Sequence, residues 1–588
     1  MIWLGSTVDE FTCGRIPLVF VEIDQDYCQQ EFGVSPCTAT GTAKCYKTRA
    51  SCQSTAAYDR GTLTLKFSEN HQDVPTDEGY VIPSVQGVSL TSSKVNIATN
   101  NKSQGPLGNR ASATVTFADH PDADRATDPY LSTRTYNPID RGTFWSKWLA
   151  RNPYYAGRAL RIYEGYVGQA VSAMQCRHYI IERITPPDSA GKVMVTAKDP
   201  LKLADGDRAK APRKSTGVLF GAITNAQTSI TVEGAGLVDY PATGTLRIDD
   251  ECMTYSSRAL DSASNLVFSG ITRATDNTTA DAHDDDTIVQ TCIRYTTADS
   301  WDVAYDLLVN YAGISSSYVP FTSWATVGTE YLTALPVTTL ITEPTDVDQL
   351  VGELGRDTLS YYWWDDRAQL IQLSAIRPAA QPDYYLDDDS NIIADSLARW
   401  PDNDQRITEV WTSYLPLSAV ADLGKPTGYQ TTRVRINTAE TSADLYGDVK
   451  IREINSRWIV TAAHAIQVNA VIGQRFKDSP EYVKLRLDAK DRAIGIGNIL
   501  GISNRNIVDI HGNTTYKRYE VISAKEIKAG ERVELEAVSF QYIGNAGAWM
   551  ESTANSYATA TQLERDSGFF WSESNGLMPD GTPGYNWQ

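Results

Sequence analysis

The stretch SATVTFADH, residues 112–120, decides the fold of the first part of the chain because apolar and polar residues alternate along it. Successive side chains of a strand point to opposite faces of a sheet, so Ala113, Val115 and Phe117 share one face. GTLTLKF, residues 61–67, repeats the same alternation. Both segments predict half-buried strands of one β-unit.

Alternating segments continue on the C-terminal side of this unit. A helix is predicted from Thr143 and ends at Asn152, because the residue before Pro153 avoids the helical region. Strands then follow as far as Pro200. Residues 217–292 show a different sequence pattern, in which short alternating segments that predict strands are separated by Gly-, Asn- and Asp-rich turns. This pattern is typical of a small sandwich or barrel.

The second half of the chain mixes helices with strands. Helices are predicted in 299–312, 344–359 and 461–476, and residues 361–378, YYWWDDRAQLIQLSAIRP, predict a hairpin that turns at Asp365-Asp366. Strands follow the last helix.

At 588 residues the chain is too long for one hydrophobic core. We therefore predict a mainly β protein with α+β elements, made of several domains. The predicted parts are an N-terminal β-domain at 1–216, an inserted small β-domain at 217–292, an α+β domain at 293–400, a second β-domain with a helix at 401–543, and an extended C-terminal arm at 544–588.

Charge and motifs exclude several classes of function. The net charge is -19, and no basic stripe suited to nucleic acid is present. The N-terminus does not resemble a signal peptide, and no apolar run is long enough to insert into a membrane. The sequence contains no nucleophile elbow, zinc-protease helix, phosphate loop or dinucleotide fingerprint. These observations favour a protein that is not an enzyme and that is made in a cytoplasm.

Two acidic runs, 283–286 and 387–389, lie in turn-like segments and lack the spacing of a calcium loop. We interpret both as solvated turns.

Four of the eight cysteines fall within CQQEFGVSPCTATGTAKCYKTRASC, residues 28–52. Their spacing, C-x8-C-x7-C-x6-C, lacks the close pairs of most zinc sites. A looping segment with one cysteine for each of four corners suits a cubane iron-sulfur cluster better. The candidate ligands are Cys28, Cys37, Cys45 and Cys52.

Zinc, disulfides and unrelated thiols stay open as alternatives for these four cysteines. Lys44, Lys47 and Arg49 lie between the candidate ligands and would partly offset the charge of four thiolates. The remaining cysteines, at 13, 176, 252 and 292, are far apart in sequence and are interpreted as buried small hydrophobes, with a pairing of Cys252 and Cys292 left open.

The C-terminal segment cannot build its own core, yet it carries large aromatic side chains. We predict that it docks on a neighbouring subunit and orders on binding. The candidate anchors are Trp549, Phe569, Phe570, Trp571, Tyr585 and Trp587.

Several motifs together resemble one family of proteins. They are CQQEFGVSPC, CYKTRASCQ, WSKWLARNPYYAGRALRIYEGYVG, the hairpin at 361–378, INSRWI and the terminal DGTPGYNWQ. In these the chain resembles baseplate hub and tail-tip proteins of long-tailed phages and gene transfer agents. The resemblance covers most of the chain outside 217–292, which is itself similar to small β-domains of phage tail proteins.

The resemblance implies a structural hub in the virion, at the tail tip, assembled in the host cytoplasm. It implies tube-like β-barrel domains in a ring of three copies, with a distal tail protein and the tail tube above and a central spike or fibre below. Side fibres are further candidate partners. The lambda-like branch also implies a 4Fe-4S cluster on Cys28, Cys37, Cys45 and Cys52, although the middle gap is shorter here than in that branch.

Two other functions compete with the hub. A receptor-binding adhesin would use the aromatic arm and the inserted domain on the host surface. An enzyme, such as a cell-wall hydrolase, would need convergent catalytic groups in one cleft. A hub stapled by zinc or by disulfides is the third alternative.

Overall fold

In a computed structural model, the protein is described over residues 16–69, 78–101, 104–376, 382–437, 447–508, 511–528 and 532–539, with 555, 556 and 559. Within these ranges the chain forms thirty strands and five α-helices. The strands belong to several separate sheets. The predicted fold class, mainly β with α+β elements, is confirmed.

The first eight strands make one sheet with the order β3-β2-β1-β6-β7-β8-β5-β4. Its helix α1 spans Phe144–Arg151, as predicted. The strands are β1 (Pro17–Cys28), β2 (Arg60–Ser68), β3 (Ile82–Pro83), β4 (Val85–Thr91), β5 (Ser112–Ala118), β6 (Ala159–Tyr166), β7 (Gln175–Thr185) and β8 (Lys192–Lys198). The predicted faces of β2 and β5 point into the core, where Phe67 and Phe117 are fully buried. Trp145 of α1 stacks on Phe67, with ring centroids 5.6 Å apart.

The two end strands of this sheet, β3 and β4, are consecutive in the chain and separated only by Ser84. β3 pairs with β2, and β4 pairs with β5 at the opposite end of the sheet. The sheet therefore curls around its core. None of the sheets in the described ranges closes into a barrel by strand pairing, so the barrel expected from the resemblance is not formed there.

The segment 217–292 forms its own small β-unit of short strands. After β9 (Lys210–Ala211), its strands are β10 (Val218–Leu219), β11 (Ser229–Glu233), β12 (Gly244–Ile248), β13 (Glu251–Tyr255), β14 (Ser257–Leu260), β15 (Leu266–Ser269) and β16 (Gln290–Thr291). They form a four-stranded and a three-stranded sheet around a single core.

An α+β region follows, and four of its elements confirm the sequence prediction. Its elements are β17 (Ile293–Ala298), α2 (Ser300–Asp306), α3 (Phe321–Tyr331), β18 (Val337–Ile341), β19 (Thr345–Asp346), α4 (Val347–Asp357), β20 (Ser360–Asp365) and β21 (Leu370–Ala375). The predicted hairpin is β20 with β21, and α2 and α4 are the first two predicted helices of the second half. α3 was not predicted.

The last described region holds two sheets. Its elements are β22 (Tyr384–Asp387), β23 (Ala398–Pro401), β24 (Glu409–Pro416), β25 (Tyr429–Ile436), β26 (Ile451–Asn455), α5 (Ala462–Arg475), β27 (Glu481–Asp488), β28 (Ile499–Ser503), β29 (Lys517–Lys528) and β30 (Arg532–Ser539). The six-stranded sheet has the order β22-β28-β29-β30-β27-β23, and the three-stranded sheet has the order β25-β24-β26. Helix α5 confirms the third predicted helix, with the Thr461 hydroxyl accepting a hydrogen bond from the His464 backbone N–H.

Arg177 of β7 connects three of these units. Its guanidinium bonds Glu164 on β6 at 2.8 Å, Glu526 on β29 at 2.7 Å, and Asp366 in the hairpin turn. The Arg177 side chain is almost fully buried. Because burying a cation is costly unless it is paired, this contact requires all three units to keep their relative positions.

Candidate metal centre: the four-cysteine loop

The four cysteines lie on a long excursion between two neighbouring strands. Cys28 is the last residue of β1, and the chain re-enters the sheet at Arg60, its partner across the strand pair. The connecting residues 29–59 contain no strand or α-helix, and only one short 3-10 turn at Thr55–Ala57. Loops of this length without regular structure are uncommon in compact domains and are usually functional.

This four-cysteine loop, residues 28–59, has very little core of its own. Its buried residues are Cys28, Ala39, Thr48 and Ser54. Ordering a residue costs about 1–2 kcal/mol of backbone entropy. Four small buried side chains cannot offset that cost for about thirty residues, so the loop needs anchors from outside its own sequence.

Arg134 supplies one anchor. Its guanidinium donates to the Lys44 carbonyl at 2.7 Å and to the Cys45 carbonyl at 3.3 Å. The same group forms an ion pair with Asp128 at 2.6 Å, and both side chains are buried. The hydrogen bonds to Asp128 raise the pKa of Arg134 above its usual value. The charged, planar guanidinium of Arg134 thus fixes the backbone at Cys45.

Tyr46 provides a second anchor, next to that cysteine. Its hydroxyl contacts the hydroxyl of Tyr136, and its ring lies under two guanidinium groups. Arg151 of α1 is 3.8 Å from the ring centroid and Arg134 is 4.2 Å from it. Burial raises the pKa of Tyr46. Cation-ring contacts of this kind contribute about 0.5–2 kcal/mol each.

The structure brings the four predicted ligands into one neighbourhood. The Cys28 backbone N–H donates to the Lys47 carbonyl at 2.7 Å, which draws the first and third cysteines together. Burial raises the pKa of Cys45 most, and the negative charges of Cys52, Cys28 and Cys37 raise it further. Each of the other three thiols is therefore within electrostatic reach of Cys45.

All four of these cysteines are free thiols in the structure, and none forms a disulfide. No group of three or more histidine, cysteine, aspartate or glutamate side chains among the described residues is arranged to hold a metal ion. The four thiols thus share a neighbourhood without surrounding a single ion.

The lysines that the sequence placed between the cysteines lie over aromatic rings of the same neighbourhood. The Lys44 ammonium is 4.7 Å from the Tyr130 ring centroid, and the Lys47 ammonium is 5.2 Å from that of Tyr27. The Tyr130 hydroxyl accepts a hydrogen bond from the Phe32 backbone N–H at 2.9 Å. Burial raises the pKa of Tyr130, and the charge of Cys45 adds to it. The Lys44 ammonium and the Cys45 thiol therefore both lie near the Tyr130 ring.

The groups that anchor the loop were not anticipated from the sequence. Asp128, Tyr130, Arg134 and Tyr136 lie about a hundred residues after the first cysteine, in a segment without a strand or an α-helix. Only Arg151 belongs to a predicted element, helix α1. A local sequence pattern carries no signal for contacts of this range.

The other described cysteines lie away from the loop. Cys252 and Cys292 are buried in the inserted domain as free thiols, and the Cys292 thiol donates to the Gln290 carbonyl at 3.9 Å. The neighbouring Cys252 side chain and burial raise the pKa of Cys292. The structure therefore brings the two together, as left open above, without a disulfide. Cys176 is half-buried, and Cys13 lies outside the described residues.

Both acidic runs are turns, as interpreted from the sequence. The Asp387 carboxylate accepts hydrogen bonds from the Asp389 and Ser390 backbone N–H groups. His283, by contrast, is buried, with its ring nitrogens 2.8 Å from Asp249 and 3.0 Å from Glu251. The predicted arm anchors Trp549, Phe569, Phe570, Trp571, Tyr585 and Trp587 lie outside the described residues. No helix in the described part of the chain is long and apolar enough to cross a membrane.

Comparison with known proteins found no matching family model and no matching curated protein. Among solved structures, the chain is similar to the tail protein from Neisseria meningitidis at 10% identity, over 77% of this chain and 97% of that one, with a TM-score of 0.35. It is similar to the 43 kDa tail protein of prophage MuSo2 from Shewanella oneidensis at 8% identity, over 74% and 91%, with a TM-score of 0.33.

A chain of the native gene transfer agent particle is similar at 11% identity, over 55% of this chain and 84% of that one, with a TM-score of 0.28. All three TM-scores lie below 0.5, so these similarities by themselves assign neither a family nor a function.

Proposed function

We propose that the chain is a structural, non-enzymatic hub at the distal end of a phage tail tube, and that its four-cysteine loop binds a 4Fe-4S cluster as a staple. The observation that carries the cluster is the convergence of four free thiols in a loop with almost no core. The sequence motifs that resemble hub and tail-tip proteins carry the hub role.

The residues present fit a four-sulfur centre. Thiolates are the ligands of iron-sulfur clusters, and a cytoplasm keeps thiols reduced until the cluster is inserted. When bound, the cluster would supply four iron-thiolate bonds from Cys28, Cys37, Cys45 and Cys52. These bonds would add the stability that the loop cannot obtain from its own buried side chains.

The same residues fit zinc less well. A zinc site holds four sulfurs about 2.3 Å from one ion. The thiols here are separated by eight, seven and six residues along the chain, and they include none of the close pairs that most zinc sites contain. A cluster, which takes one cysteine at each of four corners, suits this wide spacing along the chain better.

The hub role needs a rigid unit rather than a cleft. The buried guanidinium of Arg177 and its three carboxylate contacts tie the first sheet to the hairpin and to the six-stranded sheet. We infer that three copies form a ring with tail-tube proteins above and a central spike or fibre below. The inserted domain and the arm would contact neighbouring subunits or side fibres.

Anaerobic purification of the full chain tests the two parts of the proposal separately. Iron and acid-labile sulfide in equal amounts support the cluster, whereas a single zinc per chain overturns it. Rings of three copies seen by mass photometry or electron microscopy support the hub. A monomer that binds host cells would instead favour the adhesin.

A further inference from the structure

The outer face of the three-stranded sheet β25-β24-β26 carries apolar side chains that are exposed or half-buried in the described structure. Helix α5 packs on the other face, where Val410 and Thr412 are fully buried. The Asn469 side chain of α5 accepts a hydrogen bond from the Thr412 hydroxyl. Residues one position along the strand must therefore point away from the helix.

The strand register identifies the side chains of this outer face. On β25, Val434 lies opposite Trp411 of β24, and Ile436 lies opposite Glu409. On the other side of β24, Ile451 of β26 also lies opposite Glu409. The exposed fractions of Val434, Ile436 and Ile451 are 49%, 51% and 43%. We call this set, Trp411, Val434, Ile436 and Ile451, the outer apolar surface.

The edge of the sheet beside this surface is open. β25 is the end strand, and no other strand among the described residues pairs with its outer side. Five successive residues of β25, from Gln430 to Val434, are exposed. Open edges with apolar neighbours readily accept an added strand.

The size of the surface limits what can cover it. Four side chains amount to an apolar patch on the order of a few hundred Å². A stable subunit interface buries about 800 Å² on each partner. An extended segment of five or six residues therefore fits this surface better than a whole domain does.

We propose that the occupant is segment 567–572, SGFFWS, of the C-terminal arm of a neighbouring copy, added as a strand along β25. The segment is uncharged and rich in aromatic residues, which favour strands. In an extended conformation Phe569 and Trp571 share one side, so they extend the outer apolar surface beside Val434 and Ile436.

The position of the arm supports a neighbouring copy as its source. β30 ends at Ser539, and Val538 shares a hydrophobic cluster with Ile407, two residues before Glu409. Val538, next to the end of β30, thus belongs to the core cluster on the α5 side of β24, which is opposite the outer apolar surface. The 28 residues between Ser539 and Gly568 span up to about 95 Å, which suits an exchange between copies.

This inference deepens the proposed ring and rests on it, and a crosslinking experiment on the full chain tests it. A photoreactive phenylalanine analogue replaces Val434, and isotopically heavy and light chains are mixed before assembly. We expect crosslinks from position 434 to segment 567–572 in which one partner is heavy and the other light. The matched control places the analogue at Val238, which is 95% exposed in the inserted domain.

Two substitutions sharpen the test. A Phe569→Ala, Trp571→Ala double variant should lower the yield of these crosslinks at least tenfold, whereas Tyr585→Ala should leave it unchanged. Crosslinks within single copies only, or to another segment, overturn the proposal. If rings form without the crosslink, the docking proposal is wrong and the proposed hub role still stands. If neither rings nor crosslinks form, both proposals are wrong.

Discussion

Replacing Arg134 with methionine should release the middle of the four-cysteine loop from the sheet that supports it. The change removes the two hydrogen bonds to the Lys44 and Cys45 carbonyls. It also leaves the Asp128 carboxylate, which is fully buried, without its cation. Methionine keeps much of the side-chain volume, so the effect reports the lost charge and hydrogen bonds.

The magnitude follows from the burial of the pair. Breaking a buried ion pair by removing one partner costs about 3–5 kcal/mol. In a domain of about 200 residues, a loss of 3 kcal/mol lowers the melting temperature by about 6–12 °C. The melting temperature of Arg134→Lys should lie between those of Arg134→Met and the native protein, because lysine keeps the charge but lacks the planar, forked guanidinium.

Calorimetry and hydrogen exchange measure the two consequences. The melting temperature should fall by the amount given, and amides of residues 44–52 should exchange faster. Arg141→Met is the matched control, because Arg141 lies over the Tyr136 ring at 4.5 Å and is exposed. An Arg134→Met protein that melts and exchanges like the native one would refute the anchoring role.

Two further perturbations test other parts of the molecule. Arg177→Met should lower the free energy of unfolding by about 3–5 kcal/mol and loosen the contact between the first sheet and β29. Amide hydrogens of the first sheet and of β29 should then exchange faster. A variant in which neither exchanges faster would contradict the connecting role of Arg177. Burial raises the pKa of Asp199 from 3.8 to about 6. The free energy of unfolding should therefore fall by about 3 kcal/mol as the pH rises from 3.8 through 6, because the buried carboxyl must then lose its proton. Asp199→Asn keeps an acceptor for the Ala111 backbone N–H and should remove this loss, so urea midpoints at pH 4 and pH 7.5 should lie closer together than in the native protein. An unchanged pH dependence would show that Asp199 does not cause it.

Much of the strand layout could be predicted because alternation reports burial directly. Along β5, Ala113, Val115 and Phe117 are all fully buried, as their period of two requires. Helix α3 escaped prediction because its helical form depends on tertiary contacts. Gly328 packs against the ring of Trp301, and a Cβ there would lie 2.1 Å from a ring carbon. Packing of this kind leaves no periodic signal in the sequence.

The candidate site could be predicted only in part for the same reason. Cysteine spacing and the turn residues around it predicted that the four thiols converge, and Gly33, with a φ of +75°, supplies one of the turns. The anchors come from Asp128 to Arg151, far along the chain. The type of cluster was inferred from the resemblance to tail-tip proteins, because four thiolate ligands alone do not distinguish an iron-sulfur cluster from other metal centres.

Metal and sulfide analysis of anaerobically purified protein, with its visible absorption spectrum, tests the central claim most directly. The account predicts about four iron and four sulfide per chain, with iron-sulfur absorption bands, both lost in a Cys45→Ala variant and kept in Cys176→Ala. One zinc per chain without iron, or neither metal, would contradict it.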